Sequence, residues 1–217
     1  MATEIKFCGM TRLADAELAV SLRASYVGVI FAGGPRMLTL DRASEVLAVV
    51  PNGVSRVGVF ADQTPDEIVR YADRLQLHVV QLHGNASAER IAAVRADFDG
   101  AIWPVCRVAG ASLPENIREL ALSGDGLVLD SLVRGTLGGT GVPMEWAALA
   151  GDVERIRPDV HRFVLAGGLR PENVATAITT LSPDVVDVSS GVESAPGIKD
   201  HDRMRAFRDA VAALDES

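Results

Sequence analysis

Cysteine is scarce in these 217 residues: there are two, Cys8 and Cys106. A disulfide framework is therefore excluded, and a reducing compartment such as the cytoplasm is the expected location. The opening residues lack a basic stretch followed by an apolar run, so no secretory leader is expected. No apolar run approaches the roughly 18 residues that a membrane-spanning helix needs. Positive charge is in deficit, with 21 Lys+Arg against 29 Asp+Glu and a net charge of −8, which argues against a nucleic-acid surface. Only two of the cations are lysine, Lys6 and Lys199. Neither a Gly-x-Gly-x-x-Gly pattern nor a Walker loop occurs, so no nucleotide cofactor is expected. His78, His83, His161 and His201 show no pairing at ligand spacing, so no metal is expected. The acidic balance leaves room for a small anion, because backbone N–H groups bind phosphate whatever the net charge.

What is present is apolar material for one sizeable core, 48% of the chain. Eight short β-branched runs recur: Ile5–Cys8, Tyr26–Phe31, Arg56–Phe60, Val79–His83, Ile102–Val108, Gly126–Asp130, Arg162–Ala166 and Val185–Val188. The segments between them carry helical stripes, such as Leu13, Ala16, Ala19 and Leu22, or Ile68, Val69, Ala72 and Leu75. Thr64-Pro65-Asp66-Glu67, Leu113-Pro114-Glu115 and Arg170-Pro171-Glu172 place proline and acids in expected first turns. The sixth unit is the least regular, with a short helix expected around Glu145–Ala150 after a glycine-rich loop. Several strands are apolar without alternation, as in Tyr-Val-Gly-Val-Ile-Phe, which suits parallel strands covered on both faces. Eight such units fit a small α/β protein, a parallel (β/α)8 (TIM) barrel; a doubly wound open sheet is the alternative. No linker or charge block divides the chain, so one catalytic domain is expected over residues 1–217.

In a barrel, functional groups sit at the C-terminal ends of strands and in the loops that follow. Cys8 ends the first strand: it is either a small core residue or a thiolate acting as base or nucleophile. Asp130 ends the sixth, either as a loop cap or as a general acid whose pKa is raised by its surroundings. Gln81 and His83 share a face at the end of the fourth strand, and His83 is a substrate contact or a satisfied structural histidine. Arg36, after Gly33-Gly34-Pro35, is a solvated surface group or a fork for a carboxylate. Cys106 is expected to be structural, with Arg107 beside it able to face the mouth. Three glycine-rich stretches follow late strands: Gly138-Gly139-Thr140-Gly141, Gly167-Gly168-Leu169 and Ser189-Ser190-Gly191. Loops after strands seven and eight commonly form a phosphate site in these barrels, so a sugar phosphate is the expected ligand.

Taken in order along the chain, these residues resemble the phosphoribosylanthranilate isomerase family of tryptophan biosynthesis. The resemblance rests on Lys6-Phe7-Cys8-Gly9-Met10-Thr11, Arg56-Val57-Gly58-Val59-Phe60, Gln81-Leu82-His83-Gly84 and Leu129-Asp130 with Gly138-Gly139-Thr140-Gly141. It continues through Leu165-Ala166-Gly167-Gly168-Leu169 with Pro171-Glu172-Asn173-Val174, and through Asp187-Val188-Ser189-Ser190-Gly191-Val192-Glu193 with Pro196-Gly197 and Lys199-Asp200. One departure is Gly34-Pro35-Arg36-Met37, where the family often has Ser-Pro-Arg followed by an aromatic. The resemblance implies a cofactor-free Amadori rearrangement, with Asp130 as general acid and Cys8 as general base. It further implies that Arg36 holds the anthranilate carboxylate, that His83 contacts substrate, and that the Gly139–Gly141, Gly167–Gly168 and Ser189–Gly191 backbones bind phosphate. A soluble monomer or homodimer without membrane or nucleic-acid partner is the expected state. Asp187 is expected at most to orient the last loop, and Lys6 shares the inward face of Cys8. Indole-glycerol-phosphate synthase, with its catalytic Lys, and a phosphate-sensing barrel without activity are the competing readings.

Overall fold

The computed structural model describes residues 2–108, 110–131 and 144–215. Eight parallel strands, β1 (Glu4–Phe7), β2 (Tyr26–Ile30), β3 (Ser55–Phe60), β4 (Val79–Leu82), β5 (Ala101–Val108), β6 (Leu127–Ser131), β7 (Phe163–Leu165) and β8 (Val185–Val188), pair in sequence order. Strand β1 pairs with β8, Lys6 opposite Asp187, and this closes the barrel. Helices α1 (Leu13–Ser21), α2 (Leu40–Leu47), α3 (Pro65–Leu75), α4 (Ala88–Arg95), α5 (Ile117–Ser123), α6 (Trp146–Ile156), α7 (Val174–Leu181) and α8 (His201–Asp215) occupy the connections and the C-terminus. The eight expected strands are present within a residue or two of their expected ends.

The sheet buries both faces, which is why its strands read as apolar runs rather than alternating ones. One set of side chains, including Phe7, Val27, Leu82, Leu129 and Leu165, packs outward against the helices in the larger core cluster. The other set, including Tyr26, Val57, Val79, Trp103, Val128, Val164 and Val185, fills the lower barrel. Tyr26 and Trp103 meet edge to face there, centroids 5.0 Å apart. This plug forces polar inward residues toward the C-terminal ends of the strands.

Three local expectations are corrected. Proline and acids do open α3 as expected, and Thr64 caps it with a reciprocal bond set to Glu67. However, Pro114 and Pro171 precede their helices: α5 starts at Ile117 and α7 at Val174, after turns whose Pro114 and Arg170 carbonyls accept the first bonds. Helix α6 runs on to Ile156 instead of stopping at Ala150, because Gly151 interrupts the apolar pattern without ending the helix. After β8, a 3-10 turn (Ser190–Val192) leads into a small antiparallel hairpin, β9 (Glu193–Ala195) and β10 (Ile198–Lys199), which the sequence pattern did not announce.

Candidate active site

At the C-terminal end of the barrel a cleft is lined by Cys8, Arg36, Gln81, His83, Asp130 and Asp187, with Gly167, Gly168, Ser189 and Ser190 at one side. Strand β1 delivers Cys8 one residue past its end, where the Cys8 amide still bonds the Val188 carbonyl of β8 at 2.9 Å. Strand β6 delivers Asp130, in register with Arg107 of β5. Strand β4 delivers Gln81 and, one residue beyond its end, His83, on the face shared with Val79. Cys106 points the other way into the helix-facing core, where burial lifts its thiol to about 11.

The electrostatics differ sharply from group to group. Burial raises the Asp130 carboxyl to about 6; nearby Asp187 adds to this, while Arg107, the Ser131 amide and Lys6 oppose it. Burial also pushes the Cys8 thiol up, against the pull of Lys6 and Lys199. His83 falls to about 4 through burial and the positive charges of Arg107 and Lys6, so its ring is neutral at physiological pH. Its Nε2 lies 3.8 Å from Asp130 Oδ2, and its backbone carbonyl accepts a bond from Arg107 at 3.2 Å. Gln81 Oε1, His83 Nδ1 and Asp187 Oδ1 are buried with no hydrogen-bond partner among the described residues. Buried polar atoms of this kind are costly unless a ligand or water meets them.

Arg36 reaches the cleft, but its fork is already engaged. Nε and Nη2 donate to the two carboxylate oxygens of Glu193 at 2.8 and 2.6 Å. Glu193 in turn accepts from Lys199 Nζ at 2.9 Å, and Lys199 also donates to the Ser189 carbonyl at 3.0 Å. The hairpin thus ties the loop after β2 to the loop after β8. Gly9, at φ +70°, permits this convergence: a Cβ there would sit 2.8 Å from Arg36 Cδ and 2.9 Å from Ser189 Oγ.

The phosphate-loop expectation is partly placed. Gly167 and Gly168 take positive φ values of 86° and 72°, with Gly167 packed against the Asp130 carboxyl. Gly191 lies so close to the Leu169 carbonyl oxygen that no side chain fits, which brings the loops after β7 and β8 together. Gly139 and Gly141, with the rest of their loop, lie outside the described residues. Three groups were undervalued by sequence reasoning: Lys6, Asp187 and Glu193. Lys6, fully buried, points inward and donates to Asp187 Oδ2 at 2.7 Å, so Asp187 belongs to the cleft rather than merely orienting a loop. The signal for Lys6 was its two-residue offset from Cys8; that for Glu193 was weaker, a lone acid in a polar hairpin. Among the described residues no cluster of His, Cys, Asp and Glu is arranged to hold a metal, and no helix is long and apolar enough to cross a membrane.

The architecture and the cleft define a class: a (β/α)8 barrel with ionisable side chains gathered at its mouth beside a glycine-lined rim. The sequence model of the family N-(5'-phosphoribosyl)anthranilate (PRA) isomerase matches residues 5–210. N-(5'-phosphoribosyl)anthranilate isomerase of Paracoccus denitrificans is 40% identical over 216 residues, covering 95% of this chain and 96% of that protein. The structure of phosphoribosyl anthranilate isomerase from Thermotoga maritima superposes with a TM-score of 0.87 at 32% identity, covering 98% and 100% of the two chains. A second similar structure, with a TM-score of 0.84 at 30% identity over 98% of this chain and all of that one, is a phosphoribosyl anthranilate isomerase in complex with reduced 1-(o-carboxyphenylamino)-1-deoxyribulose 5-phosphate. The chain belongs to the N-(5'-phosphoribosyl)anthranilate isomerase family.

Proposed function

We propose that this protein converts N-(5-phospho-β-D-ribosyl)anthranilate to 1-(2-carboxyphenylamino)-1-deoxy-D-ribulose 5-phosphate in tryptophan biosynthesis, with Asp130 as general acid and Cys8 as general base. The observation that carries this reading is the meeting, in one cleft, of a carboxyl held near 6 and a thiol from the opposite side of the β8 strand, next to glycine loops suited to a phosphate. Protonated Asp130 gives its proton to the ribose ring oxygen. The C1–O bond breaks as the anilino nitrogen lone pair forms a C1=N iminium. The Cys8 thiolate then takes the proton from C2, the C2–H electron pair becomes the C1=C2 bond, and the iminium electrons return to nitrogen. The resulting enolamine tautomerises to the ketone. The steps are proton transfers and one C–O cleavage within a single substrate, with no external oxidant or reductant, so the scheme requires no cofactor.

The remaining roles follow from position. The Gly167–Gly168 and Ser189–Gly191 backbones hold the phosphate, joined by Gly139 and Gly141 of the sixth loop. Arg36 meets the anthranilate carboxylate with the edge of its guanidinium that Glu193 leaves open. Neutral His83 offers a hydrogen bond rather than a charge to substrate.

The test is turnover. Substrate is generated in situ from anthranilate and phosphoribosyl pyrophosphate by a separate transferase, and its fluorescence is followed after adding the protein. Rapid protein-dependent loss is expected. In Cys8→Ala and Asp130→Asn the rate should drop about 10²–10⁴-fold, the usual worth of one acid or base. Unchanged turnover in both variants would sink the assignment of roles, and no loss with well-folded wild-type protein would sink the substrate.

A further inference from the structure

The chain has two lysines among its 21 cationic side chains, and both are buried around Cys8. Lys6 is the closer. A Cβ placed on Gly28 of β2 would lie 3.1 Å from Cys8 Sγ and 3.3 Å from Lys6 Nζ, so thiol and ammonium converge on one small space that a glycine keeps open. The same Lys6 ammonium donates to Asp187 Oδ2 at 2.7 Å; the second Asp187 oxygen is buried without a partner among the described residues, and Asp187 lines the cleft. The order of strands gives this pair a direction. Asp130 stands on β6, Asp187 two strands on at β8, and Lys6 with Cys8 next to it on β1.

We propose that Lys6 and Asp187 are positioning residues that form a buried dipole between the catalytic pair, ammonium toward Cys8 and carboxylate toward Asp130, so that the ion pair favours thiolate on one side and protonated carboxyl on the other. This rests on the reading of Cys8 as base and Asp130 as acid. Opposite effects at the two ends are what the surroundings indicate. For Cys8 the attraction of Lys6 outweighs the repulsion of Asp187, with Lys199 and Arg36 as the further charges facing it. For Asp130 the repulsion of Asp187 outweighs the attraction of Lys6, with Arg107, His83 and the Ser131 amide as its other neighbours.

The need for such a device follows from the protonation states. The carboxyl titrates near 6 and the thiol above its ordinary range, yet the reaction uses the carboxyl protonated and the thiol ionised. The reactive form is therefore a minor one, and activity stays on a plateau between the two titrations. Each unit that separates them lowers that plateau about tenfold. A dipole that draws the two together raises the reactive fraction without touching the substrate.

The test is the pair Lys6→Met/Asp187→Asn, which removes both charges and leaves neither one buried alone. Two readouts are taken against pH: kcat/KM, and the rate of Cys8 alkylation by iodoacetamide, located by mass spectrometry. Expected are limbs of the kcat/KM profile that move apart by about one to two units, a plateau about 10–100-fold lower, and a Cys8 alkylation midpoint at higher pH. A uniformly lower curve with both limbs and the alkylation midpoint in place would overturn the proposal, since that is what a purely structural pair produces. Should the double variant not fold, Asp187→Asn alone moves both limbs to lower pH, and fixed limbs overturn the proposal equally. Failure of the underlying reading is distinguishable: Cys8→Ala would then keep turnover, whereas the alkylation midpoint reports on Lys6 whatever Cys8 does in catalysis.

Discussion

Asp130, the proposed general acid, shows how a site residue is set against the fold that carries it. Its carboxyl titrates near 6 in the folded protein and near 3.9 in an unfolded chain, so the folded state binds the proton more tightly. Ionisation therefore subtracts stability: nothing below about pH 4, a growing amount between about 4 and 6, and the full amount above. Asp130→Asn should accordingly be more stable than wild type by about 1–3 kcal/mol at pH 8, the gain vanishing near pH 4. Denaturant unfolding at pH 4, 6 and 8 measures this, and a gain independent of pH would contradict the raised carboxyl. On the proposed role the same variant should lose turnover, so stability and activity should move in opposite directions at one position. His83 carries the mirror case. Its folded pKa near 4 lies below the unfolded value, so the burden of keeping it neutral appears only as pH falls below about 6.5.

At the scale of elements, the β9–β10 hairpin is the part that joins separate loops into one site. Glu193 engages the Arg36 fork at two points, and Lys199 fixes Glu193 and the Ser189 carbonyl together. Glu193→Gln removes the charge-assisted grip on Arg36, which then samples other rotamers. KM should rise about tenfold, as expected for losing one charged hydrogen bond, with kcat within a few-fold. Steady-state kinetics decide it: a fall in kcat at constant KM would place Glu193 in the chemistry instead. This hairpin was illegible in the sequence for a physical reason. Glu-Ser-Ala-Pro-Gly-Ile-Lys has little β-propensity, and its short strands exist because Pro196-Gly197 turns the chain and Lys199 pairs with Glu193. The eight barrel strands were legible because burial on both faces demands unbroken β-branched runs. Cys8, Asp130, Arg36 and His83 were legible because strand ends in this architecture point to one mouth. The Lys6–Asp187 pair was not, because alternation places Lys6 inward but only closure of β1 on β8 supplies its partner.

For the whole molecule, these layers imply a division between a lower barrel that holds the fold and an upper rim to which the proposed chemistry is confined. Leu127, at the start of β6, is fully buried in the core between strands and helices, and Asp130 stands three residues later on the same strand. Leu127→Ala leaves a cavity in a close-packed layer and should cost about 2–5 kcal/mol. For a chain of this size each kcal/mol lowers Tm by about 2–4 °C, so a fall of roughly 4–20 °C is expected. Because the cavity lies on the helix side of the strand and at its far end, kcat/KM measured well below the transition should stay within about twofold of wild type. Thermal unfolding and kinetics on one preparation check both halves. A large loss of kcat/KM in a folded Leu127→Ala protein would mean that packing strain travels along β6 to Asp130, and that scaffold and rim are not separate. Asp130→Asn, expected to be more stable and less active, supplies the opposite corner of the comparison. The two variants, on one strand and about 10 Å apart along it at a rise of about 3.3 Å per residue, should then move stability and turnover independently.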